Sequence, residues 1–169
     1  RGIPGRACAG FHPRGDSVVL RQKAHALLSA RVGCKKGNGL NIIITSINTT
    51  NEGNEIVTFT SPAGVGAALW NSTTYRAIVG HEYSIELDFD TVSSVDSAVS
   101  RSFSLTVKDN YVIMTGMVDG IDGDGLFYFR LDPSCLIMVE AIPNRPVSRN
   151  EWLTIKVKST CLSMFPLGE

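Results

Sequence analysis

The 169-residue sequence lacks net charge, because sixteen lysines and arginines balance sixteen aspartates and glutamates. This balance removes the electrostatic reason to expect nucleic acid or an anionic membrane surface as a partner. Long apolar runs are also lacking, and none approaches the roughly 20 residues that cross a bilayer. We therefore expect no nucleic-acid binding and no membrane insertion within this stretch.

Catalytic and metal-binding motifs are lacking as well. The three histidines, His12, His25 and His81, are scattered, and no His/Cys cluster has the spacing of metal ligands. Neither a Gly-x-Ser-x-Gly elbow nor a phosphate-binding loop is present. The sequence thus predicts a non-enzyme without cofactor or metal. A deep pocket that holds two of four side chains would reverse that prediction: His81, Glu82, Glu86 and Asp88.

A Gly-rich segment, residues 119–125, contains three carboxylates that resemble calcium ligands. Asp119, Asp122 and Asp124 supply oxygen atoms, but their spacing does not complete a calcium-binding loop and no Glu follows at the required distance. The sequence favours a solvated hairpin turn here.

What the sequence has in abundance is alternation of apolar and polar residues. In residues 83–90 the apolar side chains of Tyr83, Ile85, Leu87 and Phe89 alternate with polar ones, and residues 103–108 and 153–158 repeat the pattern. A period of two is typical of a strand with one buried face. We predict one all-β domain over residues 1–169, a two-sheet antiparallel jelly-roll sandwich of about ten or eleven strands.

Several segments have specific assignments. Residues 1–16 are rich in Gly and Pro and predict an extended lead-in. Residues 18–32 fit a strand or a helix, and neighbouring strand signals favour a strand. Residues 61–67 predict a loop, residues 74–79 a strand, and residues 91–101 carry no clear signal. Asp109-Asn110 predicts the turn of a hairpin.

Four cysteines and two glycosylation sequons indicate the compartment. The sequons begin at Asn48 and Asn71. An even cysteine count with acceptor asparagines favours an extracellular protein or a domain on a cell or virion surface, the alternative being free thiols and chance sequons. Four cysteines allow three pairings. Because Cys8 and Cys161 lie near the two ends of the sequence and the termini of a sandwich often lie close together, we favour Cys8 with Cys161 and Cys34 with Cys135.

The tripeptide Arg14-Gly15-Asp16 matches an integrin-recognition motif in a Gly/Pro-rich segment. Such short motifs also arise by chance, and Gly15 equally suits an ordinary turn.

The order of the predicted strands and turns resembles the galectins and galectin-like domains. The likeness spans residues 13–158 and is carried by these segments: Pro13–Gln22, Ala26–Val32, Gly37–Asn48, Trp70, Val79–Leu87, Phe103–Asn110, Phe129–Pro133 and Trp152–Val157. The resemblance implies a galectin-like β-sandwich that binds glycans, as in galectins, or host receptors, as in viral attachment proteins with this fold.

The resemblance also locates a candidate ligand site. It places Ser46, Asn48 and Thr50 on the sugar-contacting strand, with Trp70 and Arg76 after it. Only Asn48 and Trp70 match the family's sugar-reading residues, and hydroxyl side chains poorly replace charged or bidentate partners. Trp70 would either stack on a sugar or cap the core. Occupied sequons would crowd such a site.

Two functions remain open at this point. One is a glycan-binding module that uses this residue set, and the other is a module that has lost sugar binding and contacts a protein receptor or forms a coat. In both, the domain recognises a partner without catalysis. Assembly into a homo-oligomer through free sheet edges is a third expectation.

Overall fold

The computed structural model describes residues 39–140, 142 and 145–168. Three sequence-based predictions therefore lie outside the described residues: the lead-in over 1–16, the strand within 18–32 and the Arg14-Gly15-Asp16 motif. Cys8 and Cys34, one member of each predicted disulfide, also lie outside them. Within the described ranges, no helix is long and apolar enough to cross a bilayer.

Eleven strands and one short 3₁₀ turn (Ser159–Cys161) make up the described secondary structure. The first six strands are β1 (Leu40–Thr49), β2 (Glu55–Ser61), β3 (Gly64–Trp70), β4 (Glu82–Phe89), β5 (Ser94–Ser97) and β6 (Ser104–Lys108). The remaining five are β7 (Tyr111–Ile121), β8 (Phe127–Asp132), β9 (Cys135–Val139), β10 (Trp152–Lys158) and β11 (Leu162–Pro166). The prediction of a nearly all-β protein is confirmed for this part of the chain.

The alternation in the sequence is the cause of these strands. In β4, the side chains of Ile85, Leu87 and Phe89 are buried, and the residues between them reach the surface. The same period buries Leu153, Ile155 and Val157 of β10. Each of these strands therefore buries one face. The burial stabilises the fold by roughly 25 cal/mol per Å² of apolar surface removed from water.

Five of the strands close into a barrel. β1 pairs antiparallel with β2 and with β4, β2 pairs with β3, and β4 pairs with β11. A parallel contact between β3 and β11, at Ser163–Leu69 and Met164–Trp70, completes the ring. Closure removes free edges from these five strands.

The other six strands lie between β4 and β11 in the chain and extend the sheet away from the barrel. The long strand β7 is their centre, because it pairs with β6, β10 and β8. β5 continues from β10, and β9 continues from β8. A backbone pairing of Gly64 with Leu105 joins this second group to the barrel.

The predicted hairpin between β6 and β7 is confirmed. Asp109 and Asn110 both adopt positive φ, 50° and 63°, as a two-residue turn of this hand requires. Asn and Asp tolerate this region better than other residues with a side chain, which explains why the sequence signal was reliable.

The predicted loop over residues 61–67 is wrong, because β3 begins at Gly64. Glycines are typical of loops, but Gly66 lies in the strand opposite Phe59. A Cβ atom on Gly66 would come within 2.9 Å of a Leu105 methyl carbon and as close to the Phe59 ring. Gly66 is therefore a packing requirement of the strand, where the two core side chains fill the space of its missing side chain.

The predicted strand over residues 74–79 is also wrong. These residues belong to the loop between β3 and β4, which turns at Gly80 with a φ of 83°. The loop folds back over two aromatic rings, as described below, and its apolar residues Ile78 and Val79 remain exposed. Residues 91–101, which had no clear signal, contain the short strand β5.

Candidate functional site

An open groove of about 610 Å³ lies on the outside of the barrel. It crosses β4, β1 and β2 and reaches the turn before β3. Nine residues line it: Asn41, Ile42, Ile43, Thr60, Ser61, Pro62, Glu82, Tyr83 and Ser84. Most carry uncharged polar groups, Ile43 and Pro62 supply an exposed apolar floor, and Glu82 is the single carboxylate.

Strand register fixes how these side chains are arranged. Ile43 pairs with Glu82 of β4 on one side and with Thr60 of β2 on the other. Thr60 in turn pairs with Val65 of β3, so one row crosses four strands. Asn41 and Ser84 form the next pair. Directly opposed residues on one face have Cβ atoms about 5 Å apart, so the row presents a continuous surface.

Ile43 is the most informative residue of the groove. Ile42 and Ile44 are 2% and 1% exposed, whereas Ile43 is 42% exposed. Three consecutive isoleucines in a strand must place at least one on the outer face, because side chains alternate. An irregularity in the pairing between Ile44 and Ser46 then leaves Thr45 as an extra residue. Such bulges bend a strand and re-aim the side chains that follow.

The β4 strand adds negative charge beside the groove. Glu82, Glu86 and Asp88 alternate with the buried residues of β4 and so share its outer face. Burial raises the pKa of Glu86, which pairs with Phe165 of β11. Of the four side chains that would revive an enzymatic interpretation, the groove contains only Glu82. The absence of catalysis remains a prediction.

Trp70 lies at the end of β3 and is held by protein groups. Its indole Nε1–H donates a hydrogen bond to the carbonyl oxygen of Tyr75 at 2.8 Å. Its ring meets the Tyr83 ring edge to face, with centroids 5.1 Å apart, and both rings pack against the core. The Tyr83 hydroxyl donates to the Arg76 carbonyl at 2.9 Å. The two aromatic residues thus anchor the β3–β4 loop.

The other four residues of the predicted ligand site lie on separate features. Ser46 and Asn48 follow the bulge in β1, and Asn48 is exposed opposite Ile56. Thr50 shapes the β1–β2 turn, where its hydroxyl accepts a hydrogen bond from the Asn54 amide at 3.1 Å. Arg76 lies exposed in the β3–β4 loop. The described structure brings none of these residues into the groove on the outside of the barrel.

The acidic segment 119–125 comprises the end of β7 and the turn before β8, and two of its three carboxylates are bonded within the protein. Asp122 Oδ1 accepts the backbone N–H groups of Asp124 and Leu126, at 3.2 and 3.1 Å. Asp119 forms an ion pair with Arg130 at 3.0 Å, and the hydrogen bond from Arg130 lowers the Asp119 pKa. Among the described residues, no group of three His, Cys, Asp or Glu side chains is placed to hold a metal ion.

Each of the two predicted disulfides has one cysteine among the described residues. Cys135 is buried at the start of β9, and Cys161 is half-buried in the 3₁₀ turn. No disulfide occurs among residues 39–140, 142 and 145–168, and the expected partners, Cys8 and Cys34, lie outside these ranges. The two pairings therefore remain predictions.

Comparison of the chain with protein-family models, with curated proteins and with solved structures found no match. The function proposed next is therefore inferred from the residues of this chain and from the geometry of its described part.

Proposed function

We propose that this chain is a recognition domain of an extracellular, cell-surface or virion-surface protein, and that it binds a partner protein through the groove on the outside of its barrel without catalysis. One observation carries the proposal, the apolar floor of the groove at Ile43, which is 42% exposed and pairs with Thr60 and Glu82 of the groove border. Apolar side chains that remain exposed in a concave surface, with a polar border, are typical of interaction sites.

The internal bonds of Trp70 support a protein partner over a sugar bound in the galectin manner. A stacking Trp needs an open ring face, but the Trp70 ring packs on Tyr83, and its N–H, bonded to the Tyr75 carbonyl, fixes the ring under the β3–β4 loop. Ser46, Asn48, Thr50 and Arg76 are not gathered around it. The interpretation of Trp70 as a cap on the core is thus the better supported one.

A glycan bound in the same groove is the second candidate. Its border offers an amide and three hydroxyls, from Asn41, Thr60, Ser61 and Ser84, and one carboxylate from Glu82. Such groups suit a ligand rich in hydroxyls. A sugar would then be read by β1, β2 and β4 rather than by the residues that the galectin resemblance indicates.

The extracellular setting and the galectin-like sandwich remain parts of this proposal. Asn48 and Asn71 are both exposed, so both sequons are accessible to glycosylation. A two-sheet jelly-roll would require the second group of strands to form a sheet facing the barrel strands.

The test is binding of the fluorescently labelled, multimerised domain to a panel of mammalian cells. We compare the unmodified chain with Ile43→Arg, which places a charged side chain on the floor of the groove. The matched control is Val107→Arg on β6, since Val107 is exposed to a similar degree, 39%. We expect binding to fall at least tenfold for Ile43→Arg and to change less than twofold for Val107→Arg.

The treatment of the cells separates the two candidates. Loss of binding after trypsin treatment of the cells, but not after removal of surface glycans, supports a protein partner. The reverse pattern supports the glycan candidate. Equal binding by the two arginine variants would refute the groove as the recognition site.

A further inference from the structure

The zero net charge of the chain hides a strong segregation of charge along it. Residues 1–38 contain eight lysines and arginines and one acidic residue, Asp16, a net charge of +7. Residues 39–93, which form β1 to β4, contain Arg76 as their only lysine or arginine and have six acidic residues, a net charge of −5. These six are Glu52, Glu55, Glu82, Glu86, Asp88 and Asp90.

The negative charge of the barrel and the apolar groove coincide on β4. Glu82 lines the groove itself, and Glu86 follows on the same outer face of the strand. Glu82 and Glu86 are four residues apart on the strand, a separation of about 13 Å. A ligand lying in this groove meets an exposed apolar floor at Ile43 and the carboxylate of Glu82, and a ligand that continues along β4 reaches Glu86.

The basic N-terminal part of the sequence has the complementary pattern. The basic residues occupy alternate positions, at Arg21, Lys23 and His25. Apolar residues occupy the other positions from 24 onward, at Ala24, Ala26 and Leu28. An extended segment with this alternation would direct cations to one side and small apolar groups to the other.

The position of the groove makes this segment its natural occupant. The described chain begins at Gly39, and Asn41, only two residues later, lines the groove. The sixteen residue-to-residue steps from Lys23 to Gly39 span up to about 50 Å when the chain is extended. This reach exceeds the width of a small barrel, so the segment can return to the groove of its own chain at a high effective concentration.

We propose that residues 21–31 of the same chain bind in the groove, with their basic side chains toward Glu82 and Glu86, and that they compete there with the external partner. The inference rests on the groove of the proposed function and deepens it, because it assigns a basic, extended polypeptide as the class of ligand. Recognition of the partner would then require displacement of this segment.

The test uses the full chain and two measurements. A carbodiimide, which joins amines to carboxylates without a spacer, should link Lys23 to Glu82 or Glu86, as mapped by mass spectrometry. Limited trypsin digestion should cut after Arg21 and Lys23 about fivefold faster in the double variant Glu82→Gln/Glu86→Gln, the change expected for loss of two partly exposed ion pairs. Sodium chloride at about 0.5 M should speed cleavage of the unmodified chain similarly.

The matched control is Glu52→Gln/Glu55→Gln, which removes one carboxylate from the β1–β2 turn and one from the start of β2 in the same barrel. Its cleavage rate should equal that of the unmodified chain. Equal rates in both double variants, or no link from Lys23, would overturn the inference. Links found only between two molecules and lost on dilution would also overturn it, in favour of a second copy. If docking fails while Ile43→Arg still abolishes binding to cells, the proposed function stands without this inference.

Discussion

The role of Trp70 gives a prediction whose magnitude follows from its contacts. Trp70→Phe keeps an aromatic ring against Tyr83 but removes the hydrogen bond from Nε1 to the Tyr75 carbonyl. Loss of one such bond costs about 1 kcal/mol. The smaller ring also buries less surface, which costs roughly 0.5–1 kcal/mol more at about 25 cal/mol per Å². We expect the free energy of unfolding to fall by about 1.5–2 kcal/mol.

Tyr83→Phe provides the companion variant, because it removes the hydrogen bond from the Tyr83 hydroxyl to the Arg76 carbonyl. This bond is exposed and water can replace it, so we expect a loss of about 0.5–1 kcal/mol. Both bonds hold the same loop to rings that touch each other. The double variant should therefore show a coupling of about 0.5 kcal/mol or more.

Urea unfolding, followed by circular dichroism and by the fluorescence of the remaining Trp152, measures these changes. The slope of the transition should stay constant, because the variants alter contacts and not the extent of the folded core. A change below about 0.3 kcal/mol for Trp70→Phe would refute the reasoning, since the indole could then not be anchoring the loop. The reasoning would also be refuted if the two single variants kept full stability while the double variant was not additive.

Three further predictions concern stability and modification. Asp132 is 3% exposed and accepts three hydrogen bonds at one carboxylate oxygen, from Ser134 N, Ser134 Oγ and Cys135 N, at 2.6, 2.8 and 2.7 Å. Asp132→Ala should lower the free energy of unfolding by about 2–3 kcal/mol and Asp132→Asn by less, as urea titration will show. Burial raises the pKa of Glu86, because it disfavours the charged carboxylate. The folded protein therefore gains stability from protonated Glu86. This gain is complete below the ordinary Glu pKa of about 4.3 and is lost as the pH rises through the raised pKa. Glu86→Gln should accordingly be more stable than the unmodified chain at pH 7 and equally stable at pH 4; a constant difference at both pH values would contradict this. Expression in a secretory host should add glycan mass to the chain. Asn48→Gln and Asn71→Gln should each remove part of that mass, as mass spectrometry will show. An unchanged mass on secretion would contradict the exposure of both sequons.

Strands were predictable from the sequence wherever alternation was strict. β4 and β10 each bury every second residue, and the sequence shows that pattern directly. The hairpin turn at Asp109-Asn110 was predictable for a local reason, since positive φ favours these residues. Local signals therefore located most strands of the described chain.

Errors arose where a residue serves a distant partner. Gly66 suggested a loop, but its missing side chain leaves room for Phe59 of the neighbouring strand and for Leu105 of β6. The β-branched residues Ile78 and Val79 suggested a strand, but that segment forms the loop that is held over Trp70 and Tyr83. Neither relation exists within a window of neighbouring residues, so propensity could not reveal it.

The sequence gives a weaker signal for the groove on the outside of the barrel than for the strands. The run Ile42-Ile43-Ile44 implied that one isoleucine faces water, which was a sign of an interaction surface. That Glu82 and Thr60 flank this isoleucine depends on strand register, and that β4 lies beside β1 depends on barrel closure. These are long-range features, so the candidate site could be recognised only in the folded chain.

Binding to cells by three variants in parallel, Ile43→Arg, Val107→Arg and Trp70→Phe, tests the central claim most directly. The claim is that recognition occurs in the groove on the outside of the barrel and that Trp70 supports the fold. It predicts that Ile43→Arg loses binding at least tenfold, while Val107→Arg and Trp70→Phe, each verified as folded, stay within twofold of the unmodified chain. Full binding by Ile43→Arg together with loss of binding by folded Trp70→Phe would contradict it and return the ligand site to Trp70.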